Sequence, residues 1–328
     1  MSSRHARFVS SSDDDATVDL KAGGVSKSVE DPLTAPRGTG KRSVIDFVVR
    51  NRIHLLPAAA LIAWATPPLY GSTPSWDALP SVLLAGFGIY ELNRVFDVVE
   101  DKINDPAAYT HTRATRTLIL KIAISATFAS IVLSLLLTNL AATITLLIVI
   151  LAGVLYSVPF LGEKRGRIRL KQIPSLKNVV PSIVWPFTTI VYPAMSSHEV
   201  HLLHLLLAVI GVSCAVFTIE VAWDIRDSYG DQIAGIRTLA TAFRSRRALL
   251  VPLFASCSNA LVIVPLVYSG NLAKLWLLPA LFLVLLPTIA YLWKDSLVSN
   301  RDRSHLLVLM NMLALILLGI VGHWERIG

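Results

Sequence analysis

A row of polar side chains lies where an early apolar run of the chain turns acidic. Asn93, Asp97 and Asp101 are spaced four residues apart, and a four-residue step on an α-helix returns a side chain to nearly the same face. The three would form a column about 12 Å tall, at about 1.5 Å of rise per residue. Because a carboxylate at the centre of a membrane helix costs on the order of 2.5–3.5 kcal/mol, this column predicts a cation or a polar ligand facing it.

A second acidic row ends a later apolar run. Its members, separated by four, three and four residues, are Glu220, Asp224, Asp227 and Asp231. These steps keep all four on one side of a continuous helix, although Gly230 is expected to end the helix just before the last of them. A helix cap needs one carboxylate, and like charges at this spacing repel one another. The two rows therefore predict one shared ligand site rather than two separately solvated helix ends.

Several cations accompany the acids at the same ends of the apolar runs. They are Arg94, Lys102, Arg113, Lys164, Arg165, Lys171, Lys177 and Arg237. Mg²⁺ prefers oxygen ligands and typically combines one or two carboxylates with the phosphates of a substrate. Carboxylates with Mg²⁺ opposite Lys and Arg suit a diphosphate, and an apolar bundle suits a lipid tail. These residues predict that a phosphorylated lipid is bound by its head group.

The composition places both rows in a membrane protein. Of the 328 residues, 54% are hydrophobic and only 16% are charged, whereas about 25% charged is usual in a soluble domain. Apolar runs of about 20 residues recur, and each is long enough to cross a hydrocarbon core of about 30 Å. The net charge of +8 follows from the topology of the loops, so we expect membrane lipids and no nucleic acid as partners.

The apolar runs predict an all-α membrane protein in which nine transmembrane helices enclose a central cavity open to the cytoplasmic side. The predicted spans are roughly 53–70, 79–101, 117–137, 140–160, 178–196, 202–223, 248–268, 273–293 and 304–323. Lys and Arg concentrate before the first span and after each even-numbered span. The positive-inside rule then predicts a cell-membrane protein with its N-terminus and both acidic rows cytoplasmic and its C-terminus outside.

The N-terminal segment differs in composition from the rest of the chain. It is polar, it contains the run Asp13-Asp14-Asp15, and it lacks the apolar core of a secretory signal. We predict a disordered cytoplasmic tail over residues 1–43 and a nine-helix intramembrane domain over residues 44–328.

The two motifs resemble those of the UbiA-type intramembrane prenyltransferases. The first family motif, Asn-x-x-x-Asp-x-x-x-Asp, is met by Asn93, Asp97 and Asp101. The second, Asp-x-x-x-Asp, is met by Asp227 and Asp231. Two motifs in this order are specific, whereas either one alone would be weak. The resemblance implies nine helices and a cytoplasmic site between the second helix and the sixth.

Other stretches extend the resemblance to about residues 45–325. Leu155-Tyr-Ser-Val-Pro159, followed by a basic loop, and Gly235-Ile-Arg-Thr-Leu239 are similar to the family pattern. The loop after the first motif departs from it. The family's Lys-x-Asn-x-Pro is present as Lys102 to Pro106, but Ala-Ala-Tyr-Thr-His-Thr-Arg replaces the usual Arg-Pro-containing, Gly-ended loop. We therefore expect this loop to be shaped differently over the site.

The resemblance implies that a polyprenyl diphosphate binds with its head group on Mg²⁺. The implied metal ligands are Asn93, Asp97, Asp101, Asp224, Asp227 and Asp231, of which Asp224 either ligates or supports the others. Metal and cations would stabilise the departing diphosphate. The implied catalytic residues are Asp97, Asp101, Asp227, Asp231 and Tyr156.

The remaining predicted site residues concern the substrate. Candidate contacts to the diphosphate are Asn93, Lys164, Lys177, Arg237 and Arg113. Tyr156 could place its ring or hydroxyl near an allylic cation, because an aromatic face favours positive charge. The alternative is that Tyr156 is an ordinary tyrosine of the membrane interface, and both interpretations stay open.

The implied activity is Mg²⁺-dependent transfer of a prenyl group from a polyprenyl diphosphate to a membrane-soluble aromatic or lipid acceptor. Two alternatives remain. One is a polytopic transporter, since ionisable groups in membrane spans also mark ion paths, although transporter sites tend to lie near the midplane. The other is a non-catalytic lipid-binding membrane protein.

Overall fold

The computed structural model describes residues 53, 55–104, 106–160, 168–197, 199–298 and 301–327. Within those ranges the chain is built from α-helices joined by short turns, and no strand forms. The predicted N-terminal tail, residues 1–43, lies outside the described residues.

Twelve α-helices follow one another in the described part of the chain. In order they are α1 (Leu55–Ala65), α2 (Leu79–Phe96), α3 (Val98–Asn104), α4 (Pro106–Leu137), α5 (Leu140–Ser157), α6 (Leu176–Pro186), α7 (Tyr192–Met195), α8 (Leu202–Ile233), α9 (Leu239–Ala242), α10 (Ser245–Tyr268), α11 (Leu277–Leu292) and α12 (Arg301–Ile327). A 3₁₀ turn follows α1, another precedes α6, a third precedes α11, and a π-helical turn joins α6 to α7.

Six stretches of the described chain are long and apolar enough to cross a membrane. They are Tyr109–Leu137, Leu140–Ser157, Leu202–Ile233, Ser245–Tyr268, Lys274–Leu292 and Arg303–Trp324. The structure thus confirms an all-helical membrane protein, while nine uniform spans are not confirmed. Among the other three predicted spans, the apolar helix Leu55–Tyr70 is shorter, α2 carries Glu91 and Arg94 near its end, and the last is interrupted by the π turn Phe187–Val191.

Small residues let two helices approach α2 closely. A Cβ atom added at Gly88 would lie 2.3 Å from the Oγ1 atom of Thr127 on α4, and one added at Gly153 of α5 would lie 2.8 Å from the side chain of Ile89. Neither glycine leaves space for a side chain, so α2 is held between α4 and α5. This packing fixes the end of α2 that carries the first acidic row.

The first acidic row does not lie on one continuous helix, and that prediction is wrong. Helix α2 ends at Phe96, Asp97 has a non-helical ψ of 34°, and α3 begins at Val98. The new helix packs against α8. The side chain of Asn104 lies so close to Gly230 that a Cβ there would be 2.3 Å from its Oδ1 atom.

The predicted helix end at Gly230 is also wrong. Helix α8 continues to Ile233, so the whole second acidic row lies on one helix. Gly230 is buried inside that helix, and its missing side chain makes room for the segment that carries the first row. The same residue that predicted a helix end is therefore a contact point between the two motifs.

Candidate active site

One cavity of about 380 Å³ lies among α2, α3, α5, α6 and α8, with α1 and α12 completing its wall. Its charged lining residues are Arg94, Asp97, Glu100, Asp101, Lys171, Lys177, Glu220, Asp224, Arg226, Asp227 and Asp231. Within the described residues, seven carboxylates thus face four lysine or arginine side chains. The excess of negative charge favours binding of a cation.

Most predicted site residues meet in this cavity. Those that line it are Asn93, Asp97, Asp101, Tyr156, Lys177, Asp224, Asp227 and Asp231. Arg113 and Arg237 are exposed and are not lining residues, and Arg113 donates a hydrogen bond to the Tyr109 hydroxyl at 3.1 Å. Lys164 lies outside the described residues. The expected convergence of the two acidic rows on one site therefore agrees with where these side chains lie.

A buried network holds the carboxylate at the helix break. Asn93 Nδ2 donates to Asp97 Oδ2 at 2.8 Å. The other oxygen, Oδ1, accepts hydrogen bonds from Lys171 and, at 3.0 Å, from Arg169. Arg169 also donates to the carbonyl oxygen of Phe96 at 2.9 Å, which is among the carbonyls left without a partner where α2 ends. The loop before α6 thus replaces backbone hydrogen bonds that the break removes.

The same two cations contact a further carboxylate. Glu100 Oε1 lies 2.7 Å from Arg169 and 3.1 Å from Lys171. Burial alone would raise the pKa of Glu100, but the positive charges of Lys171 and Arg169 outweigh burial and hold that pKa below its ordinary value. Glu100 is therefore ionised at neutral pH and adds to the negative charge of the cavity.

The second acidic row is held by α6. The Lys177 ammonium lies 2.9 Å from Asp224 Oδ1 and 2.6 Å from Asp231 Oδ2, and Asn178 Nδ2 donates to Asp224 Oδ2 at 2.6 Å. Burial alone would lower the pKa of Lys177, yet the two carboxylates raise it above its ordinary value. This lysine stays charged and joins two members of the row that lie seven residues apart.

Asp227 has its own counter-ion on the same helix. Arg226 donates from Nε to Asp227 Oδ1 at 2.8 Å and from Nη2 to Oδ2 at 2.6 Å. Its Nη1 donates to Ser304 of α12 at 3.1 Å, and its guanidinium lies 5.8 Å from the ring centre of Trp223. The paired, stacked guanidinium fixes the orientation of Asp227.

Tyr156 lies between the two acidic rows. Its hydroxyl donates to the carbonyl oxygen of Lys177 at 3.2 Å. Its ring lines the same cavity as Asp97 of the first row and Glu220 and Asp224 of the second. The phenol ring of Tyr156 therefore lines the cavity where carboxylates from distant parts of the chain converge.

Three buried oxygen atoms in the cavity wall have no hydrogen-bond partner among the described residues. They are Asn93 Oδ1, Glu100 Oε2 and Asp231 Oδ1. Buried polar atoms are nearly always paired, and an unpaired one costs about 1–3 kcal/mol. Oxygen atoms of amides and carboxylates are the ligands that Mg²⁺ takes in proteins, so these residues fit a hard divalent cation.

Carboxylates alone do not enclose a metal position. Among the described residues, no three His, Cys, Asp or Glu side chains are gathered closely enough to hold an ion. Mg²⁺ commonly uses one or two carboxylates and completes its shell with water and substrate phosphates. The donor set here, two separated carboxylate groups plus the Asn93 amide, is consistent with that mode of binding.

Four contributors to the site were missed as functional residues in the sequence. Glu100, Arg169 and Arg226 were given no role, and Lys171 was noted only as one cation among several. Glu100 lies three residues after Asp97, a helical spacing that could have identified it. Nothing in the spacing of the basic residues in the loop before α6 shows that Arg169 and Lys171 reach Asp97 and Glu100.

The fold is similar to solved structures of UbiA homologues. One from Aeropyrum pernix K1 has 18% sequence identity and a TM-score of 0.57, with 84% of this chain and 99% of that chain covered. One from Archaeoglobus fulgidus, bound to GPP and Mg²⁺, has 14% identity and a TM-score of 0.57, with 83% and 98% covered. At these identities the likeness concerns the fold.

A third solved structure is also similar, and the sequence was compared with curated proteins and with family models. A structure of digeranylgeranylglyceryl phosphate synthase in membranes is similar at 16% identity and a TM-score of 0.56, with 85% of this chain and 98% of that chain covered. No curated protein matched the sequence. The family model described as the UbiA prenyltransferase family matches residues 54–318, a range that contains every lining residue of the cavity. This chain is an integral membrane protein that belongs to the UbiA prenyltransferase family.

Proposed function

We propose that the protein transfers a prenyl group from a polyprenyl diphosphate to a membrane-soluble aromatic or lipid acceptor in a Mg²⁺-dependent reaction. The observation that carries the proposal is that both acidic rows and Lys177 line one cavity in a chain of this family. The Archaeoglobus fulgidus homologue has been solved with GPP and Mg²⁺ and with DMAPP and Mg²⁺, which supports both the substrate class and the ion.

The residues that would hold Mg²⁺ are Asn93, Asp97, Asp101, Asp224, Asp227 and Asp231, all of which line the cavity. The unpartnered oxygens of Asn93 and Asp231 support this assignment. When bound, Mg²⁺ supplies Lewis-acid stabilisation of the diphosphate oxygens. Lys177 contributes a fixed positive charge beside the same carboxylates, and we propose that it contacts the diphosphate.

The reaction breaks the bond between the first carbon of the prenyl group and the diphosphate oxygen, and the electron pair stays on the diphosphate. The acceptor then forms a bond to that carbon and releases a proton. Lys164 is a further proposed contact to the diphosphate. Arg113 and Arg237 are exposed and do not line the cavity, so they would reach the diphosphate only if their loops close over it.

Four aromatic side chains line the cavity. Tyr156, Tyr90, Trp185 and Trp223 line it, and the rings of Tyr90 and Trp185 lie 5.6 Å apart. Their faces favour a developing allylic cation, and they keep out water that would capture it. We propose that Tyr156, which also faces the carboxylates, is the aromatic residue nearest the reacting carbon.

Diphosphate release tests the proposal. Detergent-solubilised protein incubated with geranylgeranyl diphosphate, Mg²⁺ and a membrane lipid extract that supplies the acceptor should release diphosphate, and both EDTA and the substitutions Asp97→Ala or Asp227→Ala should abolish the release. Asp295→Ala is the matched control, because Asp295 is a carboxylate whose side chain is 87% exposed. Release that persists in both cavity variants would refute the assignment of the site. Mass spectrometry of lipids from a deletion strain would identify the acceptor.

The proposed topology is a cell-membrane protein with a cytoplasmic N-terminus and active site and an outer C-terminus. It rests on the distribution of Lys and Arg. Protease treatment of intact cells and of inverted membrane vesicles, with a tag at each end, distinguishes this orientation from its reverse.

A further inference from the structure

Glu100 lies in the cavity wall although it belongs to neither acidic motif. Only 5% of the residue is exposed. Its Oε1 atom accepts from Arg169 and Lys171, whereas Oε2 is buried and has no hydrogen-bond partner in the described part of the chain. One oxygen of this carboxylate is thus anchored by cations, and the other is left for a ligand of the cavity.

The Lys171 ammonium shows that a positive charge is stable beside this carboxylate. It contacts Asp97 Oδ1 and lies 3.1 Å from Glu100 Oε1, and only 3% of the Lys171 side chain is exposed. Two carboxylates therefore converge on one cation. Asn93 contacts the other oxygen of the Asp97 carboxylate, because its Nδ2 atom donates to Asp97 Oδ2. The buried Oδ1 atom of Asn93 has no hydrogen-bond partner within the described residues.

Glu100 lies on α3, the helix that begins at Val98 after the break at Asp97. Glu100 and its neighbour Asp101 both line the cavity, so α3 contributes two successive carboxylates to it.

We propose that Glu100 is a further ligand of the divalent cation and binds it through Oε2 together with Asn93 and Asp97. The inference deepens the proposed function and rests on it, because the cation is the one that would accompany the diphosphate. It extends the metal-binding residues beyond the four-residue spacing of the motif.

Binding of Mn²⁺ tests this assignment without reference to turnover. The full chain in detergent, with inorganic diphosphate present, is titrated with Mn²⁺ while the free ion is followed by electron paramagnetic resonance, and the Mn²⁺ bound by diphosphate in a protein-free titration is subtracted. Glu100→Gln should weaken Mn²⁺ binding by about tenfold or more. Glu91→Gln is the matched control. Glu91 is an equally buried carboxylate, it pairs with Arg94 at 2.9 Å, and it does not line the cavity. The Glu91→Gln variant should bind Mn²⁺ with an affinity within about twofold of that of wild type, because effects of distant, independent sites scatter by about this much.

A double variant separates a ligand from a mere counter-ion. Because Arg169 also holds Asp97, the double variant Glu100→Gln/Arg169→Gln is compared with Arg169→Gln alone. If Glu100 only balanced Arg169, the double variant would bind Mn²⁺ as well as Arg169→Gln. If Glu100 is a ligand, the double variant binds Mn²⁺ about tenfold more weakly than Arg169→Gln. Glu100→Asp, which keeps the charge and both ion-pair acceptors, serves if the glutamine variant does not fold, and its shorter side chain should still weaken binding. Wild-type affinity in the Glu100 single variants, or equal affinity of the double variant and Arg169→Gln, would overturn the inference.

Mn²⁺ binding distinguishes a failure of the proposed function from a failure of the role of Glu100. A wild-type protein that binds no Mn²⁺ in the presence of diphosphate contradicts the proposed function itself. A wild-type protein that binds Mn²⁺, with Glu100→Gln binding equally well, contradicts only the role of Glu100.

Discussion

The two acidic rows serve one cavity but are built in different ways. The second row lies on α8, a continuous helix of 32 residues, so its spacing is set by helical geometry alone. The first row is divided by the end of α2 at Phe96 and the start of α3 at Val98. The position of its carboxylates depends on contacts from elsewhere in the chain, above all from Arg169, which holds both Asp97 and the carbonyl of Phe96.

The counter-ions differ in the same way. Lys177 reaches the second row from the first turn of α6, and Arg226 comes from α8 itself. Arg169 and Lys171 reach the first row from the loop and short 3₁₀ turn before α6. One row is thus held by regular helices, whereas the other depends on contacts from a loop. Substitutions in the two rows should have equal effects on chemistry but unequal effects on assembly.

The largest expected effect is loss of the metal ligands on either side. Asp97→Asn and Asp231→Asn should each lower the rate of diphosphate release by at least about 100-fold, because each removes charge that stabilises the transition state. Release is measured with saturating geranylgeranyl diphosphate over a range of Mg²⁺ concentrations. A large loss in one row with normal release in the other would show that the rows do not share a ligand.

The next effect concerns the counter-ion of the second row. Lys177→Met leaves Asp224 and Asp231 as buried carboxylates without their shared cation, and removing one partner of a buried pair typically costs about 3–5 kcal/mol. The thermal unfolding midpoint in detergent should fall sharply, and added Mg²⁺ should recover part of the loss because it supplies positive charge at the same place.

Lys177→Arg is the control for that experiment, since it keeps the charge. Its unfolding midpoint should stay close to that of wild type. If Lys177→Met were as stable as wild type without Mg²⁺, the ion pairs at 2.9 Å and 2.6 Å would contribute little to stability. The statement that Lys177 holds the second row would then be wrong.

Much of this site could be predicted from the sequence, because both motifs can be recognised from their residue types and their helical spacing. Asp224, Asp227 and Asp231 follow directly from steps of three and four residues on one helix. The break at Asp97 could not be predicted in this way. No proline or glycine marks it, and the contacts that stabilise it come from Arg169, more than seventy positions away in the chain.

Prediction of the helices from the sequence has the same limit. Long apolar runs such as α8 and α10 identify themselves by composition, whereas the span that begins at α6 contains Pro181 and Pro186 and continues as a π turn. Gly230 is the clearest single case. A glycine near the end of an apolar run usually signals a helix end, but here a distant side chain requires the space.

Substitutions at the contact between Gly230 and Asn104 should have an effect of intermediate size. Gly230→Ala would place a Cβ 2.3 Å from Asn104 Oδ1, so α3 or the Asn104 side chain must shift, at a cost of about 1–3 kcal/mol. The unfolding midpoint should fall, and the Mg²⁺ concentration for half-maximal release should rise. Asn104→Ala in the same chain should relieve the clash and recover both. Failure of that second substitution to recover either quantity would mean that α3 and α8 are not coupled through this contact.

The smallest effects are expected at the two surface arginines that the sequence places at the diphosphate. Arg113 and Arg237 are exposed and do not line the cavity, and an exposed charge interacts only weakly with a buried ligand because solvent screens it. Arg113→Ala and Arg237→Ala should therefore change the KM for geranylgeranyl diphosphate by less than about threefold, within the usual range for a surface ion pair. A tenfold rise in KM for either variant would place that arginine on the substrate and would imply that the surrounding loop closes over the cavity when the diphosphate binds.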